Sequence, residues 1–199
     1  MDTQWNSSTA KPESPPTDGF ASGADRQPTA ETIYALGQLL SQQGKDERSE
    51  LAMKEAIKKD PEYIPAYSSL AALQMRNQRR KDAIRALQAG LDHSPNDPTL
   101  LNNLAMCWLT ADEYEKSLAF LTKAAGLRPQ NARYRGNMAV VLGLMGRYEE
   151  ARSLFLQTLP PLEAHRNMSI LAKAREDESL YTEELLEIYR LKNQRQTEE

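Results

Sequence analysis

Apolar and small residues return at a fixed spacing of 34 positions through the middle of this chain. The spacing is clearest in one column of apolar residues and two columns of small ones. The apolar column is Met53, Leu87, Leu121 and Phe155; the small columns are Gly37, Ala71, Ala105 and Ala139, and Ser49, Ala83, Ser117 and Ala151. A period of this length is typical of stacked helical hairpins, in which each unit buries its apolar face against its neighbours.

The small columns predict where helices touch. Two helices that cross closely inside one hairpin need residues without bulk at the crossing, so we expect Gly37 to face Ser49 and Ala105 to face Ser117. The larger apolar columns then fill the space between neighbouring hairpins, as ridges of one helix enter grooves of the next. In the first hairpin the expected inner stripe is Ile33, Leu36, Leu39 and Leu40.

Proline and glycine set the expected boundaries. Pro61, Pro95 and Pro129 each start the turn to the next hairpin, because proline cannot continue a helix interior. Gly44 and Gly146 fall in the turns inside their hairpins, where glycine costs least. The four predicted hairpins span residues 30–63, 64–97, 98–131 and 132–162.

The two ends of the chain depart from the period. Residues 1–29 are rich in proline, serine and threonine without an apolar period, so we expect a disordered tail. After Pro160 and Pro161 the spacing shortens, since Asn137 is echoed by Asn167 only 30 residues later. Residues 163–195 are therefore predicted to form a shortened fifth unit with a capping helix from about Leu180, followed by a tail at 196–199. The helix is expected to dock at a different angle and to turn a Glu- and Lys-rich face to solvent; a partner-binding helix is the alternative.

The recurring columns resemble the tetratricopeptide repeat family over about residues 30–160. The resemblance implies an all-α solenoid, a right-handed superhelix of antiparallel helix hairpins. Residues 101–105 and 137–151, with the short unit after Pro160, look like TadD-type proteins of bacterial Flp pilus assembly. That likeness implies a scaffold or pilotin-like helper of a pilus or secretion machine.

A concave groove is the expected binding surface, because the first helix of each stacked hairpin lines the inner side. Asparagine amides can pair with a ligand backbone, and methionine adapts to varied apolar contacts. The alternative is that Asn102 and Asn103 are ordinary polar helix positions. The candidate groove residues are Asn102, Asn103, Met106, Leu109, Arg133, Asn137, Val140 and Leu144.

Charge and composition narrow the possible functions. The net charge is −3, with −2 on residues 1–29, −4 on residues 175–199 and about +3 on the repeat body by difference. This is too weak for a nucleic-acid surface, and no apolar run is long enough to span a membrane. Cys107 is the only cysteine, so it is expected to be a small buried hydrophobe. No nucleophile, phosphate-loop, dinucleotide or metal motif is present, so we expect neither catalysis nor a metal or cofactor.

The sequence therefore favours a non-enzymatic scaffold that binds a protein or peptide segment in its groove. A homo-oligomeric structural element and a regulatory subunit of an enzyme are the alternatives. The N-terminus lacks a basic start followed by an apolar run, so a cytoplasmic location is expected. An envelope location would require a signal upstream of this sequence.

Overall fold

The structure is a computed structural model that describes residues 27–197, and the predicted N-terminal tail lies outside them up to residue 26. The described residues form ten helices in five antiparallel hairpins, which confirms the all-α solenoid. None of these helices has both the length and the apolar character needed to cross a bilayer. The helices are α1 Ala30–Gln42, α2 Asp46–Lys59, α3 Ile64–Arg76, α4 Arg80–His93, α5 Pro98–Leu109, α6 Tyr114–Leu127, α7 Ala132–Leu144, α8 Tyr148–Thr158, α9 Pro161–Ala174 and α10 Glu178–Thr197.

The turn inside each hairpin contains one residue in the left-handed backbone region. These residues are Gly44, Gln78, Asp112, Gly146 and Glu176, with φ between +58° and +80°. The first four are 34 residues apart and the last follows after 30, so the turn geometry repeats with the sequence period. Gly44 and Gly146 take this conformation without a Cβ penalty.

The small columns meet inside the hairpins as predicted. The Ser49 hydroxyl donates a 2.8 Å hydrogen bond to the carbonyl of Gly37, and the Ser117 hydroxyl donates one of 2.9 Å to the carbonyl of Ala105. These bonds satisfy buried hydroxyls, because Ser49 and Ser117 are both fully buried. Helix-to-helix contact at small residues is therefore confirmed.

The expected inner stripe of the first hairpin is wrong for two of its residues. Leu36 and Leu39 are 52% and 50% exposed, and only Leu40 is buried. Their counterparts two repeats later, Leu104 and Cys107, are 1% exposed in a cluster that includes Leu87 of the preceding hairpin. Leu36 and Leu39 remain exposed because no hairpin precedes α1 in residues 27–197.

The last helix is rotated relative to the second helices before it. Leu180 and Glu184 face inward, whereas Glu150, the counterpart of Leu180 in α8, is exposed. The buried Glu184 carboxylate accepts hydrogen bonds from Arg152 at 2.8 and 3.1 Å and lies 2.6 Å from Nδ1 of His165, which joins α8, α9 and α10. The rotation accommodates Tyr181 at the position where other hairpins have a small residue.

A second buried carboxylate joins the first two hairpins. Arg79 donates hydrogen bonds of 2.9 and 2.6 Å to the two oxygens of Glu50, and the ammonium group of Lys54 lies 2.8 Å away. The hydrogen bonds from Arg79, aided by Lys54 and Gln74 and opposed by burial, lower the pKa of Glu50 from 4.5 to about 2. The carboxylate is therefore ionised throughout the neutral range.

Candidate binding groove

The inner side of the stack is lined by the first helix of each hairpin. Helix α1 contacts α3, α3 contacts α5 and α7 contacts α9. Within residues 27–197 the successive second helices, α2, α4, α6, α8 and α10, do not pack against one another as closely. A hydrogen bond from Asn137 to Asn102 joins α7 to α5. The stack is therefore tighter on the side of the first helices, and a groove along them is concave.

A hollow of about 310 Å³ lies in this groove between the second, third and fourth hairpins. Its floor is mainly apolar, and a guanidinium and an amide lie at its edge. Larger depressions of about 640 and 680 Å³ lie at loop corners and are lined mostly by polar and charged residues. The hollow is lined by Ala71, Ala72, Met75, Leu87, Asn103, Met106, Cys107, Thr110 and Arg133.

Three of the eight candidate groove residues line this hollow: Asn103, Met106 and Arg133. Asn103 and Met106 are half-buried on α5, and Arg133 is exposed near the start of α7. An amide, a thioether and a guanidinium therefore converge from two hairpins on one apolar depression. Backbone carbonyls or a carboxylate of a ligand would suit the polar groups, and an apolar side chain would suit the floor.

Asn102 does not present its amide to the groove as expected. Its side chain is 1% exposed, and its oxygen accepts a 2.7 Å hydrogen bond from the amide of Asn137. The Asn102 amide in turn donates to the Asn103 oxygen at 3.3 Å. Asn102 and Asn137 thus form a link between α5 and α7, and this link orients Asn103, which lines the hollow.

The remaining apolar candidates lie outside the hollow. Leu109 is half-buried against a cluster formed by Ala105, Leu121 and Val141. Val140 and Leu144 are half-buried beside the core of the last two hairpins. These side chains contribute mainly to packing between hairpins, and their part in binding stays a prediction.

Ile170 lies at the groove position of the fifth hairpin, and the sequence prediction omitted it. It follows Ala72, Met106 and Val140 at the equivalent position of α9, and it is 64% exposed. The signal was available, because the 30-residue echo from Asn137 to Asn167 also carries Val140 onto Ile170. The apolar line of the groove therefore continues into the fifth hairpin.

The groove is more polar at its N-terminal end. The Gln38 amide donates a 2.6 Å hydrogen bond to the Tyr34 hydroxyl, which is 3.1 Å from the Ser69 hydroxyl. Arg76 is paired with Asp46 and donates to Ser41. Arg133 makes no such ion pair within residues 27–197, so its charge is available to a ligand.

The hollow is lined by one thiol, that of Cys107. Burial raises the pKa of the Cys107 thiol to about 11, so the thiol is protonated at neutral pH, and it is 1% exposed as predicted for a small hydrophobe. No group of three or more His, Cys, Asp or Glu side chains that could bind a metal ion occurs in the part of the chain that the structure describes.

Comparisons with known proteins agree with this architecture. The family described as tetratricopeptide repeat matches residues 22–164. A crystal structure of MamA is similar with a TM-score of 0.63 and 16% identity, over 81% of this chain and 96% of that one. The structure of YrrB, described as having an unusual peptide-binding site, has a TM-score of 0.62 and 19% identity, over 80% of this chain and 84% of that one. The structure of Pseudomonas aeruginosa PilF has a TM-score of 0.64 and 19% identity, over 81% of this chain and 75% of that one. The search of curated proteins gave no match.

Proposed function

Because this chain belongs to the tetratricopeptide repeat family, we propose that it is a scaffold that binds an extended segment of a partner protein in its concave groove. The main support for this proposal is the hollow between the second, third and fourth hairpins, because apolar, amide and guanidinium groups converge there. An apolar side chain of the segment enters the hollow, and a backbone or carboxylate oxygen is bound by Asn103 and Arg133. The peptide-binding site described for YrrB, a protein of the same fold, supports a groove of this kind.

The experiment uses peptides selected from a random displayed library on the full-length protein. Their affinities are then measured for the wild type and for a variant that combines Asn103→Ala with Arg133→Glu. We expect the double variant to bind at least ~10-fold more weakly, since hydrogen bonds to a charged group are lost. Because Asn103→Ala also removes the oxygen that accepts from the buried Asn102 amide, circular dichroism and thermal unfolding of the variant should confirm its native fold before affinities are compared.

The matched control is Lys58→Glu, which reverses one charge on α2 at a side chain that is 80% exposed. Its affinity should equal that of the wild type. Peptides that bind all three proteins equally, or a library that yields no binder at all, would refute the groove as the binding surface.

A second proposal concerns the class of partner. The likeness of residues 101–105 and 137–151 to TadD-type proteins, with the fold shared by PilF, favours a component of a pilus or secretion machine. Co-precipitation of the tagged protein from its native cells, followed by mass spectrometry, should recover such a component. Recovery of unrelated partners alone would contradict it.

A further inference from the structure

Exposed large apolar side chains are concentrated at the two ends of the stack. Of the nine within the described residues, three lie in the first hairpin and three on α10. Ile170 lines the groove, and only Leu127 and Leu156 are scattered elsewhere. Soluble solenoids normally end in repeats with a polar outer face, so both ends of this stack lack the usual cover among residues 27–197.

The exposed residues of the first hairpin lie on one face. Leu36 and Leu51 are 52% and 66% exposed, and their counterparts in the fourth hairpin are Met138 and Ser153. Met138 and Ser153 line one depression on that hairpin, so the 34-residue repeat places Leu36 and Leu51 together. Leu36 and Leu39, which is 50% exposed, form the first end face. Leu51 borders this face, since its counterparts Arg85, Ala119 and Ser153 are exposed in the next three hairpins.

The first end face is built to bind a hairpin. The columns of Leu36 and Leu39 continue into Leu104 and Cys107, which are buried in a cluster with residues of both α3 and α4 of the preceding hairpin. The same contact repeats at Val141, which packs in a cluster with Leu121 of the preceding hairpin. At both of these junctions, therefore, the surface that covers these columns belongs to another hairpin of this same chain and includes its second helix.

The other end offers such a helix. Leu185, Leu186 and Tyr189 are 43%, 64% and 67% exposed on α10, and their spacing of three and four residues puts them in one stripe. This stripe is the second end face. The sequence predicted a polar solvent face here, but Leu185 and Tyr189 correspond to Phe155 and Leu159, which pack in the core of the last two hairpins. They are exposed because no hairpin follows α10 in the part of the chain that the structure describes.

We propose that the first end face of one copy binds the second end face of another copy, which continues the stack from chain to chain. The contact extends the hairpin-to-hairpin interface already repeated within the chain. Because the two faces differ, the association is head-to-tail and does not close on itself at the dimer. This inference is independent of the groove, since neither face includes a residue of the hollow.

Sedimentation velocity of the full-length protein from micromolar to millimolar concentration tests the proposal. The wild type should form dimers and longer species as the concentration rises. Leu36→Glu with Leu39→Glu, and separately Leu186→Glu with Tyr189→Glu, should each give monomers. All four residues are at least half exposed, and circular dichroism of each variant should confirm the native helix content.

Mixing the two double variants makes the test specific for head-to-tail contact. Each has one intact face of opposite kind, so an equimolar mixture should form dimers and nothing longer. The matched control, Leu127→Glu with Leu156→Glu, changes exposed leucines away from both ends and should associate like the wild type. A monomeric wild type at millimolar concentration would overturn the proposal, as would dimers formed by either end-face variant alone, which would indicate symmetric pairing of like faces.

Discussion

The buried carboxylate of Glu50 should make the stability of the protein depend on acid pH. Glu50 is 8% exposed and is bound by Arg79 and Lys54, so its pKa falls from 4.5 to about 2 on folding. A carboxyl group whose pKa is lowered in the folded state stabilises that state fully above its unfolded pKa. The contribution is lost as the pH falls from 4.5 through about 2.

The magnitude follows from the size of the shift. Each pKa unit corresponds to about 1.4 kcal/mol, so the shift sets a ceiling of about 3 kcal/mol. The side chain of Arg79 is 42% exposed, and solvent screens its attraction for Glu50. We therefore expect Glu50→Gln to lower the free energy of unfolding by about 1–2 kcal/mol at pH 7.

Urea unfolding of wild type and Glu50→Gln at pH 7, 4 and 2 measures this difference. It should be full at pH 7, about three quarters of that at pH 4 and small at pH 2. The other acidic groups titrate equally in both proteins and cancel. Glu47→Gln is the matched control, since Glu47 is an exposed carboxylate on the same helix α2. A difference that is absent at pH 7, or that persists unchanged to pH 2, would refute the reasoning.

Two further predictions concern packing and reactivity. A Cβ added at Gly143 would overlap the side chain of the buried Leu171, so Gly143→Ala should lower stability by about 1–3 kcal/mol. Gly136→Ala on the same helix meets open space and should leave stability equal or up to about 1 kcal/mol higher; equal melting temperatures for the two variants would contradict this. Cys107 has a pKa of about 11, so at pH 8 the native protein should react with an aromatic disulfide reagent at least ~100-fold more slowly than a free thiol does. Unfolding should remove this protection. Reaction of the native protein at the rate of a free thiol would contradict the prediction.

The binding proposal and the self-association proposal use separate surfaces. Asn103 and Arg133 line the hollow on the inner side, whereas Leu36 and Leu186 lie at opposite ends of the stack. A stack continued from chain to chain would place several grooves in one assembly, so a multivalent partner would bind with increased avidity. Because the surfaces differ, a negative result in peptide binding does not bear on self-association, and a monomer in sedimentation does not bear on the groove.

The sequence by itself determined the repeating part of this protein. Small residues such as Gly37 and Ser49 recur where helices cross, and prolines recur where hairpins join, because these needs are local and identical in every unit. The apolar character of the Cys107 position follows from its column, which also contains Leu39, Leu73 and Val141. For these features the 34-residue period was sufficient.

Only the tertiary structure decided which members of a column are covered. Leu36 is exposed and Leu104 is buried in the same column, because cover depends on whether a neighbouring hairpin is present. Asn102 turns its amide to Asn137 on the next hairpin, and Glu184 turns inward to Arg152 because α10 is rotated. A period describes the average unit, whereas exposure at the ends and polar links between units arise from the particular neighbours that each side chain meets.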